Sequence, residues 1–187
     1  SLKEEQAYPA NPEPGYGWEK LYAEQLFEYY LKDWGLETRV ARFHNVYGPE
    51  GTFKGGREKA PGALCRKISE APVGGYVDVW GDGLQTRSFL YVQDCVEGIY
   101  RIMRAGYPYP INLGSDRLIA IKDLAALIRK ISGKELEFRF DLTGPQGVRG
   151  RNSDNTLLKE VTGWEPEISL EEGMEITYRW IDSRIHE

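Results

Sequence analysis

The chain has 187 residues, of which 41% are hydrophobic and 28% charged, an ordinary globular composition with room for one domain or two small ones. Its formal net charge of −5 argues against nucleic acid or an anionic membrane surface as the main partner. An anionic ligand would therefore need a local cluster of Arg and Lys. No stretch is typical of a signal peptide or long enough to span a bilayer.

The few cysteines and histidines limit the redox and metal chemistry that we expect. Cys65 and Cys95 each lie inside an apolar helical pattern, and two lone cysteines make no disulfide framework. We expect them to be reduced core thiols in a cytoplasmic protein. His44 and His186 are far apart in the sequence, so no metal site is predicted.

A helix is predicted to begin at Tyr16, after a polar surface loop over residues 1–14. Pro14 and Gly15 mark the turn before the helix. Apolar residues then recur at close to 3.6-residue spacing, which is typical of an amphipathic helix. Gly35 is predicted to end it, because glycine readily adopts the left-handed conformation found after helix C-termini.

Tyr16 and Lys20 are four residues apart and therefore lie on one face of this helix, about one turn from each other. An ammonium group in that position favours the phenolate and lowers a tyrosine pKa that starts near ~10. A phenol tuned in this way can take and return a proton. The alternative is a surface tyrosine and a surface lysine on an ordinary helix.

The rest of the chain alternates between predicted strands and helices, which is the pattern of an α/β fold. The predicted strands are residues 38–43, 76–80, 111–113 and 136–142. The predicted helices are residues 60–71, 90–104, 121–131, 156–161 and one that opens at the capping box Ser169-x-x-Glu172. The residues of the 90–104 helix expected to share one face are Val92, Val96, Ile99 and Met103.

A polar loop over residues 44–49 follows the first of these strands. In open parallel sheets, ligands sit at the carboxyl ends of the strands, so this loop is a candidate ligand contact. A glycine-rich loop over residues 51–59 is basic, and a polar, irregular segment over residues 144–155 carries Arg149 and Arg151. These segments supply the local positive charge that an anionic ligand would need.

Four stretches of sequence, in their order along the chain, carry a resemblance to a known protein family. They are Tyr16-Gly-Trp-Glu-Lys20, Arg42-Phe-His-Asn-Val-Tyr-Gly-Pro49, Trp80-Gly-Asp-Gly-Leu-Gln-Thr-Arg-Ser-Phe89 with Tyr91-Val-Gln-Asp94, and Gly163-Trp-Glu-Pro166 with Leu170-Glu-Glu-Gly173. Together they resemble an extended short-chain dehydrogenase/reductase that acts on a nucleotide sugar. Residues 51–61 and 144–155 narrow the resemblance to the GDP-mannose 3,5-epimerase family. It covers residues 1–187, which match about the C-terminal half of such an enzyme.

The resemblance implies an α/β fold with a partial Rossmann-type parallel sheet and a small α/β substrate-binding part. Residues 1–55 and 88–115 would form the C-terminal portion of the NAD-binding Rossmann domain. Residues 56–87 and 116–187 would form the nucleotide-sugar-binding part. The family's N-terminal Rossmann half, with its glycine-rich pyrophosphate fingerprint and the catalytic cysteine, is absent from this sequence. We therefore expect an exposed strand edge unless a partner covers it.

The activity implied by the resemblance is NAD-dependent epimerisation of GDP-mannose at C3 and C5 through a transient 4-ketone. Tyr16 would take the proton of the C4 hydroxyl, and Lys20 would lower the pKa of Tyr16 and bind the nicotinamide ribose. Lys59 matches the family's acid/base lysine, which is paired there with the missing cysteine. The structural alternative, from its position in a predicted loop, is that Lys59 is an ordinary solvent-exposed lysine.

Further residues are implied to bind cofactor or substrate. Arg87 and Arg151 are candidate diphosphate contacts, because a guanidinium matches phosphate in fork geometry, and Arg149 is the close competitor of Arg151. His44 is a candidate cofactor contact, although a lone histidine is more often structural. The remaining expected substrate contacts are Asn45, Glu58, Lys59, Ala60, Lys67, Gln85 and Thr86. Loop capping by Asn45 and simple exposure of Lys67 are the structural alternatives.

Two other functions remain open from the sequence. A nucleotide-sugar 4-epimerase or 4,6-dehydratase would use the same tyrosine–lysine chemistry. A non-catalytic module that binds a nucleotide sugar is favoured by the absent glycine fingerprint. The expected ligands are a GDP-sugar and NAD, with the missing N-terminal half needed for the full NAD site. A homodimer is compatible with the family's pairing through helices of the nucleotide-binding domain.

Overall fold

The computed structural model describes residues 1–12, 15–143 and 150–187, and within these ranges helices and strands alternate. The helices are a 3-10 turn at Glu4–Ala7, α1 (Tyr16–Trp34), α2 (Ala60–Glu70), α3 (Val92–Arg104), α4 (Ile121–Ser132), α5 (Thr156–Thr162) and α6 (Leu170–His186). The strands are β1 (Ala41–Phe43), β2 (Val46–Tyr47), β3 (Tyr76–Trp80), β4 (Thr86–Arg87), β5 (Leu90–Tyr91), β6 (Ile111–Leu113), β7 (Ile119–Ala120), β8 (Glu137–Asp141) and β9 (Gly150–Arg151). None of these helices is long and apolar enough to cross a membrane.

Most of the strand pairs are parallel, which confirms the predicted α/β class. β1 pairs with β6, β2 with β5 and β3 with β8, each in parallel. β4 lies between β7, which is antiparallel to it, and β9, which is parallel. Parallel neighbours require crossover connections, and here helices supply them.

Three local predictions were wrong because backbone pairing extends into segments that look irregular in the sequence. Residues 1–14 are not only a loop, since the 3-10 turn forms there and the Leu2 N–H donates to the carbonyl of Asn152 at 2.9 Å. The loop over residues 44–49 contains β2. Residues 90–91 form β5 instead of the first turn of a helix, because they pair with β2. Pro14 lies outside the described residues.

The first predicted strand is shorter and less buried than expected. Only Ala41–Phe43 of residues 38–43 is a strand, and Phe43 is 56% exposed. Within the described part of the chain, β1 pairs with β6 alone, so its other edge has no strand neighbour. The adjacent helix α1 has no buried residue. This side of the sheet is thus open.

The buried face of α3 also differs from the prediction, since Val96 and Met103 are 61% and 63% exposed. The buried residues of α3 are instead Asp94, Cys95, Gly98 and Ile102. A Cβ on Gly98 would lie 2.5 Å from the Leu113 side chain, so glycine allows a close approach to β6. Close packing, and not hydrophobicity alone, therefore determines which face of α3 is buried.

Buried side chains form two clusters. The larger one joins α2, α4 and α6 to β3, and α6 buries Leu170, Met174, Thr177 and Ile181 as predicted. The smaller one consists of Leu90, Cys95, Ile102, Ile111, Leu113, Leu158 and Trp164, and it joins α3 and α5 to β6. Cys65 and Cys95 are free and buried in different clusters, which confirms them as core thiols. Burial raises the pKa of Cys65 to about 12.

An ion pair attaches the loop after β6 to the first turn of α6. The Arg117 guanidinium donates two hydrogen bonds to the Glu171 carboxylate, at 2.6 and 2.5 Å. These bonds lower the pKa of Glu171 to about 2. Both side chains are about half exposed, so solvent screens the pair.

We expect Arg117→Met to reduce the free energy of unfolding at pH 7 by less than about 1 kcal/mol, because the pair is half exposed. The folded-state pKa of Glu171 lies below its usual value of 4.5, so the stabilisation is present above pH 4.5 and is lost as the pH falls toward 2. Urea unfolding of both proteins between pH 7 and pH 3 measures this. If the difference in unfolding free energy between the two proteins did not shrink as the pH falls, the stabilising role of the Arg117–Glu171 pair would be contradicted.

Candidate functional site

A cavity of about 460 Å³ lies between the N-terminal half of α2, the end of β3 and the turn that leads into β4. Seven of the residues expected to contact substrate line it, and they come from four separate stretches of sequence. They are Asn45, Glu58, Lys59, Ala60, Lys67, Gln85 and Arg87. The fold therefore brings together most of the predicted substrate-binding set.

Two arginines on neighbouring strands are register partners, and of the two Arg87 lines this cavity. Arg87 of β4 and Arg151 of β9 are directly paired in the parallel register, and Thr86 is paired with Gly150. Burial, and then the positive charge of Arg151, lowers the pKa of Arg87. The pairing places two guanidinium groups close together, an arrangement suited to a multiply charged anion. Arg149 lies outside the described residues.

Asn45 connects the loop after β1 to the segment between β4 and β5. Its side-chain Nδ2 donates to the carbonyl of Ser88 at 3.0 Å, and its own carbonyl accepts from the Leu90 N–H at 3.2 Å. Its φ of 42° lies in the left-handed region, which asparagine tolerates better than most residues. Asn45 thus has the loop-capping role considered as its alternative, and it also lines the cavity.

Lys59 stands at the N-cap of α2, where its carbonyl accepts from the Ala63 N–H at 3.0 Å. Its side chain is exposed and lines both the main cavity and a second cavity of about 210 Å³, which Arg57 also lines. The other neighbouring cation, Lys54, lies 5.5 Å from the ring centroid of Phe53. Lys59 is therefore accessible from two sides.

Lys67 is held by groups that sequence reasoning did not connect with it. Its ammonium group donates to the carbonyl of Asp78 at 2.7 Å and stands 5.6 Å from the ring centroid of Trp80. Trp80 is 61% exposed and lines the cavity, although sequence reasoning did not place it among the expected contacts. Its place at the carboxyl end of β3 was the signal that could have found it.

Arg66 is a second residue that the sequence analysis missed. It donates to the carbonyl of Phe53 at 2.9 Å and forms ion pairs with Glu58 at 3.2 Å and Glu70 at 2.8 Å. It therefore fixes the basic loop and the Glu58 side chain against α2. No sequence motif distinguished it, because its partners lie on either side of it in the chain and are set by the folded loop.

The predicted tyrosine–lysine pair lies apart from the cavity residues. Tyr16 and Lys20 open α1 as expected, but neither lines any of the described cavities, and Tyr16 is 74% exposed. The Lys20 ammonium lies 3.0 Å from a carboxylate oxygen of Glu19 and 5.3 Å from the Tyr16 ring centroid. The hydrogen bond from Lys20 to Glu19 raises the pKa of Lys20.

His44 lies at the carboxyl ends of β1 and β6. The main-chain N–H of His44 donates to the carbonyl of Leu113 at 3.0 Å. A Cβ on Gly114 would lie 2.6 Å from the Cβ of His44. Burial lowers the pKa of His44, so its neutral form is favoured at pH 7. Among the residues that the structure describes, no group of three or more His, Cys, Asp or Glu side chains is arranged to hold a metal ion.

Known proteins resemble this chain over nearly its whole length. The rice (Oryza sativa subsp. indica) GDP-mannose 3,5-epimerase 1 is 50% identical over 185 residues, which are 99% of this chain and 48% of the rice protein. The chain thus spans about half the length of the curated relatives that it matches. A crystal structure of the UDP-glucose 4-epimerase of Thermotoga maritima with UDP-glucose superposes with a TM-score of 0.82 at 30% identity, covering 94% of this chain and 55% of that one.

A crystal structure of the UDP-glucuronic acid 4-epimerase of Bacillus cereus with UDP-glucuronic acid and NAD superposes with a TM-score of 0.80. It is 26% identical and covers 98% of this chain and 57% of that one. This chain therefore shares the fold of these structures over most of its length. The model of the NAD dependent epimerase/dehydratase family matches residues 2–114, more than half of the sequence, and the chain therefore belongs to that family.

Proposed function

We propose that this chain is the C-terminal part of an enzyme that epimerises GDP-mannose at C3 and C5 through a transient 4-ketone. The observation that carries the proposal is the 50% identity to the rice GDP-mannose 3,5-epimerase 1 across 99% of the chain. The cavity supports it, because the seven expected substrate contacts that line it include Arg87, which has Arg151 beside it. An acidic chain thus presents local positive charge where a diphosphate is expected.

In this proposal Tyr16 and Lys59 carry out proton transfers at different carbons of the sugar. Tyr16 takes the proton of the C4 hydroxyl and returns it, with Lys20 one turn away on the same helix. Once a ketone exists at C4, the hydrogens at C3 and C5 are acidic, because both carbons are alpha to it. Lys59 is one member of the acid/base pair that exchanges these protons on opposite faces of the sugar, and its exposure at the cavity allows it to reach a bound sugar. Its partner is the cysteine expected in the other half of the enzyme.

The residues of this chain that would hold NAD are Tyr16, Lys20 and His44. Bound there, NAD would supply hydride transfer from and back to C4. The exposed side chains of Tyr16 and Lys20 fit such a neighbour, since both face solvent at the start of α1. The neutral form of His44, favoured by burial, adds no positive charge beside a cationic nicotinamide ring.

The proposed division into two parts follows the expected boundaries. Residues 1–55 and 88–115 belong to the nucleotide-binding part, and residues 56–87 and 116–187 to the nucleotide-sugar-binding part. The two buried clusters support this division with two exceptions. α5 packs with α3 and β6, and Tyr47, Phe89 and Tyr91 pack with α2, α4 and α6. A homodimer through α1 and a cytoplasmic location complete the proposal. The exposed aromatic residues of α1 support the homodimer, and the free cysteines support the cytoplasmic location.

Two alternatives have specific support. The similarity to UDP-sugar 4-epimerases of known structure favours the same tyrosine–lysine chemistry acting at C4 alone. The separation of Tyr16 and Lys20 from the cavity favours a module that binds a nucleotide sugar without turnover. The first experiment below distinguishes all three functions.

We expect the enzyme assembled with its N-terminal half to incorporate deuterium at C3 and C5 when it is incubated with GDP-mannose in heavy water. Exchange occurs there because the 4-ketone acidifies both positions. Nuclear magnetic resonance of the recovered sugar measures it. A 4-epimerase, whose acid/base groups do not reach C3 and C5, would return the C4 epimer without deuterium at these carbons, and a binding module would return GDP-mannose unchanged.

Tyr16→Phe provides the matching test of the tyrosine. Removing a positioned acid/base group is expected to slow turnover by about 100-fold or more. Tyr22→Phe is the control, since Tyr22 is an exposed tyrosine of the same helix. Equal activity of Tyr16→Phe and the unaltered enzyme would contradict the catalytic role.

We expect the isolated chain to bind NAD poorly, because only Tyr16, Lys20 and His44 are assigned to the cofactor. Isothermal titration calorimetry of the 187-residue chain with NAD measures this, with GDP as the positive control. A dissociation constant for NAD in the micromolar range would contradict the assignment.

Arg87→Met is expected to weaken GDP binding by about tenfold or more, because a charge-assisted bond to phosphate is lost while the apolar stem is kept. Guanosine, which has no phosphate, should bind both proteins equally. Arg104→Met is the control, since Arg104 is an exposed arginine of α3 that lines none of the described cavities. A GDP affinity that Arg87→Met leaves unchanged would remove Arg87 from the diphosphate site.

A further inference from the structure

A largely buried ion pair joins helix α1 to strand β1. The Arg42 guanidinium donates to both carboxylate oxygens of Glu24, from Nε at 2.9 Å and from Nη2 at 2.6 Å. Two parallel bonds of this kind fix the orientation of the two side chains as well as the distance between them. The side chains of Glu24 and Arg42 are only 12% and 19% exposed, so salt and solvent screen this pair less than a surface pair.

Arg42 is also held from the side away from α1. Its Nη1 donates to the carbonyl of Glu4 at 2.8 Å, and the Glu4 carboxylate accepts from the main-chain N–H of Asn112 at 2.8 Å. Asn112 is the register partner of Arg42 in β6, and its Nδ2 donates to the carbonyl of Leu2 at 2.9 Å. The strand pair and the N-terminal segment therefore hold Arg42 in place, and it presents a fixed pair of donors to α1.

The other attachments of α1 are weaker. The helix has no buried residue. Among the described residues, only one other side chain of α1 forms a hydrogen bond with another segment, namely Gln25, whose Nε2 donates to the Tyr8 hydroxyl at 3.2 Å. The first turn packs against Pro12, since a Cβ on Gly17 would lie 2.5 Å from the Cβ of Pro12. The pair with Arg42 is thus the main polar attachment of α1 to the sheet.

The position of this attachment along α1 relates it to the tyrosine and lysine that open the helix. Lys20 lies four residues before Glu24, and Tyr16 lies eight residues before it. With a rise of about 1.5 Å per residue, Lys20 and Tyr16 are about 6 Å and about 12 Å from Glu24 along the helix axis. A tilt of about 5° at Glu24 would therefore move Tyr16 by about 1 Å.

We propose that Glu24 and Arg42 are positioning residues, which set the place of Tyr16 and Lys20 relative to the sugar. The inference rests on the proposed function, since it assumes that Tyr16 transfers the proton of the C4 hydroxyl. Neither Glu24 nor Arg42 belongs to the described lining of the main cavity, so both act through α1 and not on the substrate. A reacting group that is misplaced by about 1 Å can slow a reaction by about 100-fold.

The test uses the enzyme assembled with its N-terminal half, with GDP-mannose as the substrate. Glu24→Gln should lower kcat by about 10- to 100-fold, because an amide cannot accept both guanidinium bonds. The KM for GDP-mannose should stay unchanged, since the main cavity does not include α1. Arg42→Lys should have a smaller effect on kcat than Arg42→Met, because an ammonium group keeps the charge but loses the paired geometry.

A double-mutant cycle separates positioning from a loss of structure. In enzyme that already carries Tyr16→Phe, Glu24→Gln should have little further effect on kcat, because the group that it positions is gone. A loss of folded enzyme would instead lower kcat by the same factor with and without Tyr16→Phe. Glu28→Gln is the matched control, since Glu28 lies one turn further along α1 and pairs at 3.7 Å only with the exposed Lys32 of the same helix. Its kcat should be unchanged.

Two results would overturn the positioning role while leaving epimerisation in place. One is an unchanged kcat in Glu24→Gln, and the other is an equal reduction of kcat with and without Tyr16→Phe. If Glu24→Gln did not fold, Glu24→Asp would go through the same cycle under the same criteria, because it keeps the charge but withdraws the carboxylate from Arg42. An unaltered assembled enzyme that did not epimerise GDP-mannose would overturn the proposed function itself.

Discussion

The parallel pairing of Val46–Tyr47 with Leu90–Tyr91 holds the site together. The two strands are very short, yet Tyr47 and Tyr91 belong to the larger buried cluster while Leu90 belongs to the smaller one. The rings of Tyr47 and Tyr91 meet edge to face, with 5.6 Å between their centroids, and Gly173 of α6 packs against both rings. A side chain at Gly173 would separate α6 from this pair, because its Cβ would lie 2.4 Å from the Tyr47 hydroxyl oxygen.

This pairing also positions the residues at the cavity. Asn45 precedes one strand and is bonded to the carbonyl of Ser88, which precedes the other. Arg87 stands next to Ser88, and β9 brings Arg151 beside it. Arg87 thus brings positive charge to the lining of the cavity. The charge-assisted hydrogen bonds of a guanidinium suit an anionic ligand at this point.

Local signals predicted the elements whose ends depend on local chemistry. Gly35 and Gly163 end α1 and α5 with φ values of 63° and 68°, as their lack of a Cβ allows. Tyr76–Trp80 forms a strand over the range that its bounded apolar pattern indicated. Ser169 accepts from the Glu172 N–H at 3.2 Å, which is half of the predicted capping box. The motif resemblance likewise located seven of the residues that line the cavity.

By itself the sequence determined the α/β class, the family resemblance and the residues that gather at the cavity, because these depend on periodicity, turn chemistry and motif order. Only the tertiary structure decided which face of α3 is buried, because Gly98 admits Leu113 to within contact distance. It also decided that residues 46–47 and 90–91 are strands, since a two-residue strand exists only through its partner. The contacts of Lys67 with the carbonyl of Asp78 and the ring of Trp80 were invisible in the sequence for the same reason, because they depend on distant residues brought together by folding.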